Sequence, residues 1–323
     1  MSRDLVVALS GGIGGAKLAL GLSRIVAAHD LLVVANVGDD FEHLGLHISP
    51  DADTLMYTLA GLDNTKLGWG RRDETWSFME TLSSLGGEDW FRLGDRDLAV
   101  HIERTRRLKA GETLSTITAD FCRRLGVGPR VLPATDDRLR TRLRTDDGWL
   151  DFQDYFVRLQ CRPQVRELAF DGAVDARPHP ELLAALSDER LRALVICPSN
   201  PFISVEPILA VSGMREALSA CAAPVVAVSP IIGGRAIKGP TAKMMTELGM
   251  TPSAAAVAKR YGDLIDGYVM DMGDADEAKH VAPRVTLAPT LMTNLAEKEE
   301  LARVVLGAAD ALVGSRRRRD LVA

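Results

Sequence analysis

Residues 5–17 read LVVALSGGIGGAK and give the clearest indication of fold in the chain. The apolar run Leu5–Leu9 has the length of a buried strand, and residues 16–27 follow the periodicity of a helix. Glycines between a strand and a helix let the backbone approach a ligand closely, and the helix start offers N–H groups to an anion. The segment predicts a parallel α/β unit whose loop binds phosphate; a tight turn that binds nothing is the alternative. The residues that we expect to contact the phosphate are Gly11, Gly12, Gly14 and Lys17.

The loop matches neither of the two common nucleotide motifs. A dinucleotide-binding fingerprint requires glycine at the position of Lys17, and a P-loop requires Gly-Lys-Ser/Thr in place of residues 16–18. The predicted second strand reaches Asn36 where an NAD-binding unit usually carries an acidic ribose ligand. These differences disfavour an NAD-dependent oxidoreductase.

Apolar runs and helical patterns alternate along most of the chain, which is typical of a parallel sheet covered by helices on both faces. The sequence predicts one α/β enzyme domain over residues 1–323, with a doubly wound, Rossmann-like and mostly parallel sheet. Residues 62–111 interrupt the alternation and are the predicted helical or irregular insertion, or lid. The predicted strands are Leu5–Leu9, Leu31–Val37, Arg130–Pro133, Leu194–Cys197, Val225–Ser229 and Tyr268–Asp271. The predicted helices are Ala16–Ala27, Asp53–Ala60, Leu114–Leu125, Pro180–Leu186, Met214–Ser219, Ser253–Tyr261 and Glu297–Val313.

Composition and charge disfavour several classes of protein. The formal net charge of −5 argues against nucleic acid as the main ligand, because phosphate backbones select for a basic face. The longest uncharged run, residues 217–234, contains two prolines and predicts a turn and a buried strand, not a membrane span. The four cysteines lie far apart and form no local zinc motif. We expect a cytoplasmic protein whose basic run Arg316–Arg319, within residues 315–323, is a solvated, flexible tail.

Four aspartates follow the second predicted strand within fifteen residues. Asp39 and Asp40 lie at the predicted carboxyl end of that strand, the edge at which open α/β sheets bind ligands. Asp51 and Asp53 lie at the start of a predicted helix, where either could cap the free N–H groups. One carboxylate suffices for a cap, so four beside a phosphate loop favour a set of oxygen ligands for Mg²⁺. Capping and surface charge are the alternative.

Two later strand ends carry polar loops. Residues 197–201 read CPSNP, and residues 229–243 contain glycines, hydroxyls and two lysines. Each loop alone is an ordinary connection, but at one edge of the sheet they predict a nucleotide groove together with the first loop. The residues that we expect to line this groove are Ser199, Asn200, Ser229, Gly233, Gly239 and Lys243.

Six motifs, in the same order along the chain, resemble the 2-phospho-L-lactate transferase family, which acts in biosynthesis of the deazaflavin coenzyme F-420. Single motifs are weak evidence, but six in register are strong. The similarity extends from about Leu5 to the last predicted helix. The motifs are SGGIGGAK (10–17), ISPDADT (48–54), LGDRD (93–97), FQD (152–154), PSNP (198–201) and SPIIG (229–233) with the GP pair at 239–240.

The resemblance implies a Mg²⁺-dependent phosphotransferase. Its donor would be GDP carrying 2-phospholactate, phosphoenolpyruvate or 3-phosphoglycerate, its acceptor the hydroxyl of 7,8-didemethyl-8-hydroxy-5-deazariboflavin, and its leaving group GMP. By the same resemblance, Asp40 and Asp53 occupy positions associated with catalysis, metal and acceptor, and Arg92 contacts the acceptor. Asp53 could bind the metal, orient the acceptor hydroxyl or take its proton. The resemblance also implies a homodimer, and no residue can be assigned to the choice of acid.

The main alternative is a non-catalytic regulator resembling the gluconeogenesis-factor family, which shares a glycine-rich start and binds nucleotide sugars. Such a regulator would bind a nucleotide without consuming it. We would not expect the stretches at residues 50–54 and 152–154 in that family.

Overall fold

The computed structural model describes residues 3–237 and 239–313, so the predicted basic tail lies outside the described residues. Within these ranges the chain forms fourteen strands and eleven α-helices. The strands are β1 (Leu5–Ser10), β2 (Leu31–Ala35), β3 (Phe41–His43), β4 (Leu46–Ile48), β5 (Arg130–Pro133), β6 (Arg140–Thr145), β7 (Gly148–Asp151), β8 (Glu167–Asp171), β9 (Leu191–Ile196), β10 (Val225–Val228), β11 (Ile231–Ile232), β12 (Arg235–Ala236), β13 (Gly267–Met270) and β14 (Arg284–Leu287). The helices are α1 (Gly12–Ile25), α2 (Pro50–Leu59), α3 (Ser77–Ser84), α4 (Asp95–Lys109), α5 (Leu114–Arg124), α6 (Pro180–Leu186), α7 (Glu206–Ala210), α8 (Met214–Ala220), α9 (Thr241–Glu247), α10 (Ala254–Tyr261) and α11 (Leu295–Asp310).

Seven parallel strands form the central sheet in the order β14-β13-β10-β9-β1-β2-β5. From β1 the chain winds outward through β2 to β5, then crosses to the other side of β1 and winds outward from β9 to β14. The strand order therefore reverses between β1 and β9, and open α/β sheets bind their ligands at the carboxyl ends of the strands beside such a reversal. The predicted doubly wound parallel sheet is confirmed.

The sheet separates two apolar cores, one on each face. Along β1, Leu5, Val7 and Leu9 pack into one core, whereas Val6 and Ala8 pack into the other, as the twofold periodicity of a strand requires. The first core also contains side chains of α6, α7, α8 and α10, and the second contains side chains of α1, α2, α5 and α11. Burial on both faces explains why the central strands are continuous apolar runs in the sequence.

Two of the differences from the sequence-based expectation concern the central sheet and its first helix. Helix α1 begins at Gly12 rather than Ala16, so three of the four loop glycines lie inside the helix. The pattern also fails to predict β14, because this edge strand pairs only with β13 and its four residues, RVTL, are partly or fully exposed. An edge strand covered on one side lacks the continuous apolar run that identifies a central one.

Residues 62–111 contain α3 and α4, joined by irregular segments. Helix α4 carries eight charged residues in its sequence DRDLAVHIERTRRLK, yet it buries His101, Arg104 and Thr105. Three small antiparallel sheets complete the molecule: the hairpins β3–β4 and β11–β12, and the three-stranded sheet β7-β6-β8. Among the helices of the described residues, none combines the length and apolar character required to cross a bilayer.

Candidate active site

A cavity of about 680 Å³ opens at the carboxyl ends of the central strands, beside the reversal between β1 and β9. Its walls come from the loops that follow β1, β2, β9 and β10 and from the 62–111 segment. A second cavity of about 710 Å³ lies at the opposite edge of the sheet and is lined by none of the predicted site residues. Ten predicted residues line the first cavity: Gly11, Gly12, Gly14, Lys17, Asp53, Arg92, Ser199, Asn200, Ser229 and Gly239.

Three further predicted residues do not line this cavity. Asp40 lies behind the wall, where its Oδ2 accepts hydrogen bonds from Ser49 Oγ at 2.9 Å and lies 3.1 Å from His47 Nε2. The amide of Gly233 donates to Asp274 Oδ2 at 3.0 Å in the β11–β12 turn. The ammonium of Lys243 donates to the carbonyl of residue 163 at 2.8 Å and pairs with the carboxylate of residue 247. Gly233 and Lys243 therefore shape the β10 side of the site from outside the cavity.

The glycine loop packs against the turn that follows β9. The N–H of Gly11 donates to Ser199 Oγ at 3.1 Å. A Cβ on Gly14 would lie 2.3 Å from the carbonyl oxygen of Pro198, so only glycine lets α1 approach this turn. Gly12 has a φ of +64°, a left-handed conformation that glycine adopts without strain. The loop is thus fixed by protein contacts, and its helix N-terminus faces the cavity.

Lys17 lies one turn into α1 and lines the same cavity, where its Nζ donates to the carbonyl oxygen of Met292 at 2.7 Å. This contact fixes the ammonium between the glycine loop and the segment that follows β14. It places a positive charge beside the helix N-terminus, where an anion would be stabilised by both.

Asn36, buried at the end of β2, connects two aspartates of the cavity wall. Its Nδ2 lies 2.9 Å from both Asp39 Oδ1 and Asp51 Oδ2, and its Oδ1 accepts from the N–H of Gly38 at 2.8 Å. The amide is fully used inside the protein, which explains why a neutral residue replaces the acidic ribose ligand of NAD-binding units. Gln153 supports the same loop, since its Nε2 donates to the carbonyl of Asp39 at 3.1 Å.

Burial and charge repulsion make the aspartates of this wall hard to ionise. Burial, and next the charge of Asp51, raise the pKa of Asp39 well above its ordinary value. Burial raises the pKa of Asp51 to about 6, against the hydrogen bonds from Asn36 and Gly12, and Asp40 adds repulsion. The second carboxylate oxygen of Asp40, Oδ1, is buried and has no hydrogen-bond partner.

Asp39 and Asp51, which Asn36 joins on the cavity wall, offer the hard oxygen ligands that a divalent cation of the Mg²⁺ type takes. A cation between them would relieve their mutual repulsion. Asp40, with its unpartnered Oδ1, lies behind the wall and forms no compact three-ligand group with them among the described residues. Asp53 fits such a cation less well, because a guanidinium already pairs with both of its oxygens. Asp40 and Asp53, the expected metal ligands, therefore stay a prediction.

Asp53 belongs to a separate buried network between α2 and α4. Arg104 pairs with both carboxylate oxygens of Asp53, and His101 Nδ1 lies 3.7 Å from its Oδ2. On the other side of the imidazole, His101 Nε2 lies 3.3 Å from Asp97, which accepts a 2.5 Å hydrogen bond from Tyr57 Oη. Burial raises the pKa of Asp53, against the opposing charges of Arg104 and His101. Among the described residues, Asp53, Asp97 and His101 form a compact group whose ligand atoms all lie within 4.8 Å of one another.

Aromatic side chains form a wall of the cavity that Asp53 also lines. Phe152 and Phe156 are stacked with ring centroids 5.3 Å apart, and the guanidinium of Arg92 lies 4.3 Å from the ring centroid of Trp76. Flat apolar surfaces of this kind accept a planar ring, and Arg92 adds a fixed positive charge at the edge. The aromatic side chains that line the cavity are Tyr57, Trp69, Trp90, Phe91, Phe152 and Phe156.

The sequence analysis does not identify Asn36 as a support for the aspartates, nor the α4 residues of the Asp53 network. The spacing of Asp97, His101 and Arg104 is i, i+4, i+7, which places all three on one helix face. Tyr57 follows Asp53 by one helical turn in the same way. These spacings are the signals that would have predicted the network once α4 was recognised as a helix.

The comparisons with known proteins cover nearly the whole chain. The sequence profile of the family "2-phospho-L-lactate transferase CofD" matches residues 6–305. A phosphoenolpyruvate transferase of Kitasatospora aureofaciens is 43% identical over 317 residues, covering 94% of this chain and 98% of the relative. Phosphoenolpyruvate transferases of Streptomyces coelicolor and Mycobacterium bovis are 41% and 39% identical, covering 94% and 92% of this chain and 98% and 96% of the relatives.

Solved structures share the fold. A crystal structure of a UPF0052-family protein from Bacillus halodurans superposes with a TM-score of 0.61 at 16% identity, covering 95% of this chain and 99% of the other. At this identity the likeness concerns the fold alone, whereas the profile match and the relatives near 40% identity concern the sequence itself. On these grounds the chain belongs to the 2-phospho-L-lactate transferase family.

Proposed function

We propose that this protein transfers a phosphorylated three-carbon acid from a GDP-linked donor to the hydroxyl of 7,8-didemethyl-8-hydroxy-5-deazariboflavin and releases GMP, in coenzyme F-420 biosynthesis. The acid that we infer first is phosphoenolpyruvate, because the relatives near 40% identity carry that name. 2-Phospholactate and 3-phosphoglycerate are the other candidates, since they differ from it by a few atoms.

One observation carries the proposal: a helix N-terminus with a lysine and a buried aspartate with an aromatic wall line the same cavity. The first pair suits the diphosphate of the donor, and the second suits a planar acceptor that carries a hydroxyl. Both ligands would then meet between Gly12 and Asp53. A non-catalytic regulator would need only the nucleotide half of such a cavity.

In the proposed reaction the acceptor oxygen attacks the phosphorus that bears the acid. A new P–O bond forms, the bond from that phosphorus to the GMP oxygen breaks, and in this proposal the hydroxyl proton passes to Asp53. Phosphoryl transfer of this kind depends on positioning and charge neutralisation more than on covalent help. The glycine loop and Lys17 would bind the donor phosphates, and Asp53 and Arg92 would position the acceptor.

Mg²⁺ is the cofactor that we propose. Asp39 and Asp51, which line the cavity, would hold it, and it would offset the charge that develops on the diphosphate. Ser199, Asn200 and the loop that contains Ser229 and Gly239 would contact the guanosine side of the donor. Gly233 and Lys243 would support that loop from behind through the contacts described above.

The test is product formation by the purified protein. With Mg²⁺, the deazaflavin alcohol and each GDP-linked acid in turn, we expect GMP to appear together with the phosphoacyl-deazaflavin, and the fastest donor identifies the acid. Omission of the acceptor is the control for simple hydrolysis. Tight nucleotide binding without GMP in any mixture would contradict the transferase and favour the regulator. Sedimentation of the same sample tests the expected homodimer.

A further inference from the structure

We propose that Arg104 is a positioning residue for transfer, which acts on the acceptor through Asp53 without touching a substrate. The inference rests on the proposed function, because it concerns the aspartate that would orient the acceptor hydroxyl. It adds a residue that lies in none of the six sequence motifs.

Arg104 is 2% exposed and is among the largest fully buried side chains of the described residues. Its Nη1 donates to Asp53 Oδ2 at 3.0 Å, and its Nη2 donates to Asp53 Oδ1. The two parallel bonds match the planar fork of a guanidinium to the two oxygens of a carboxylate. This geometry fixes the plane of the Asp53 carboxylate, which a single hydrogen bond would leave free to rotate.

The two residues lie on different sides of the cavity wall. Asp53 lines the cavity, whereas Arg104 does not. The remaining contacts of Arg104 are to protein, with Nη1 3.3 Å from His101 Nδ1 and 3.5 Å from the carbonyl oxygen of His47. Two of the side chains that Arg104 contacts, Asp53 and His101, line the cavity. Because Arg104 makes two bonds to Asp53, Asp53 is the main route by which Arg104 can influence the acceptor.

Attachment of α4 to α2 does not account for this ion pair. The hydrogen bond from Tyr57 Oη to Asp97 already joins the two helices, one turn from Asp53 along α2 and two turns from Arg104 along α4. Burying an arginine is expensive, and a buried ion pair is at best weak evidence for stability. A bidentate pair aimed at a cavity-lining carboxylate is better explained by pre-organisation of that carboxylate.

Two substitutions at Arg104 and one matched control test the inference. Arg104→Lys keeps the charge and loses the fork, and Arg104→Gln loses both. Arg107→Gln is the control, because Arg107 lies on the same helix and pairs with Glu112 and Asp120 at the protein surface, away from the cavity. Turnover, KM for donor and acceptor, and thermal stability are measured for all three variants and the wild type.

We expect Arg104→Gln to lower kcat about 100-fold and Arg104→Lys less, with the KM of the donor unchanged within about twofold, as for a misplaced catalytic group. Arg107→Gln should lower stability without lowering kcat. A purely structural Arg104 would instead behave like Arg107. Wild-type kcat in a folded Arg104→Gln protein overturns the inference, and so does loss of folding in both Arg104 variants while the Arg107 control folds.

A double variant separates action through Asp53 from direct action. If Arg104 works through Asp53, then Asp53→Asn combined with Arg104→Gln should turn over about as slowly as Asp53→Asn alone. If the fold-decreases in turnover of the two single variants multiply in the double variant, the inference is contradicted. An inactive wild-type protein overturns the proposed function and this inference together, whereas an active wild type with an unaffected Arg104→Gln overturns the inference only.

Discussion

The N–H of Gly12 donates a 2.6 Å hydrogen bond to Oδ1 of Asp51. The bond joins the first turn of α1 to the first turn of α2, across 39 residues of sequence. A carboxylate thus already occupies a donor at the helix N-terminus where we expect the donor phosphates. Phosphate and an ionised Asp51 would repel each other there unless a cation lies between them, so nucleotide binding, metal binding and the charge of Asp51 should be coupled.

The first prediction concerns stability against pH. The pKa of Asp51 in the folded protein is about 6 rather than the ordinary 3.8, a difference of about 2 pH units that is worth about 3 kcal/mol. Between these values the folded state binds a proton that the unfolded state has released, so the contribution of Asp51 to stability falls as pH rises from about 4 to about 6. The free energy of unfolding, measured in urea, should therefore fall more over this pH range for the wild type than for Asp51→Asn.

Asparagine keeps an oxygen for the Gly12 N–H, so the hydrogen bond remains in that variant. The difference between the two proteins is the readout, because other carboxylates titrate in the same range. If the free energy of unfolding depends on pH in the same way in both proteins, Asp51 does not have a raised pKa.

A second prediction concerns Mg²⁺. At pH 7.5, where Asp51 is ionised, saturating Mg²⁺ should raise the melting temperature of the wild type, and at pH 5 this gain should shrink because protons compete for the carboxylates. Asp51→Asn should show a smaller gain at pH 7.5. An equal gain at both pH values, or in both proteins, would place the cation elsewhere.

Gly14 provides a test of the loop geometry. Gly14→Ala would put a Cβ 2.3 Å from the carbonyl oxygen of Pro198, so we expect about 1–3 kcal/mol of destabilisation and weakened GDP binding. Gly307→Ala in α11 is the matched control, since a Cβ there meets no atom within 4 Å. That change should be neutral or stabilise by up to about 1 kcal/mol. Denaturant unfolding and calorimetric GDP titration measure both effects; equal stability of the two variants would refute the close packing of α1.

The aromatic wall can be tested with two tryptophans of similar exposure. Trp69 is 44% exposed and lines the cavity, and Trp149 is 40% exposed and lies on β7 outside it. Trp69→Ala should raise the KM of the deazaflavin about 3- to 10-fold, the worth of one aromatic stack, with little change for the donor. Trp149→Ala should leave both KM values unchanged. If both variants have the same KM for the acceptor, Trp69 does not contribute to the acceptor site.

Asp53 requires a careful choice of substitution. Asp53→Ala would leave the buried Arg104 without its carboxylate, and breaking one partner of a buried pair costs about 3–5 kcal/mol. Asp53→Asn preserves an oxygen for the guanidinium, so it should fold while turnover falls roughly 10²- to 10³-fold. Circular dichroism measures folding, and GMP release measures turnover. Near-normal turnover in Asp53→Asn would contradict a role for the ionised carboxylate.

The sequence predicts those parts of the fold that have a strong local pattern. The strand at Arg130–Pro133 and the helix at Pro180–Leu186 have the predicted bounds, because an apolar run and a proline at the helix start define them locally. The glycine loop and Ser199 were expected at one edge of the sheet, and the reversal between β1 and β9 brings them together.

Other features depend on contacts that no local pattern reveals. Asp40 and Asp53 are only thirteen positions apart, yet Asp40 pairs with Ser49 and Asp53 pairs with Arg104. Helix α4 is polar enough to be taken for an exposed insertion, because the side chains that it buries are a histidine, an arginine and a threonine. Only the tertiary structure shows that these polar groups satisfy one another.

The reversal of strand order beside β1 has a consequence for biosynthesis. Strand β1 leaves the ribosome before the other described strands, but its neighbour β9 begins only at residue 191. The hydrogen bond from the N–H of Gly11 to Ser199 likewise cannot form until residue 199 has been synthesised. At roughly 5–20 residues per second, one edge of β1 and its glycine turn stay uncovered for about 10–40 seconds. Throughout that interval the backbone groups on this side of an apolar strand lack their partner strand, and such an edge can pair with other chains. The nascent chain should therefore need chaperones, or a low protein concentration, to avoid aggregation far more than the folded protein does.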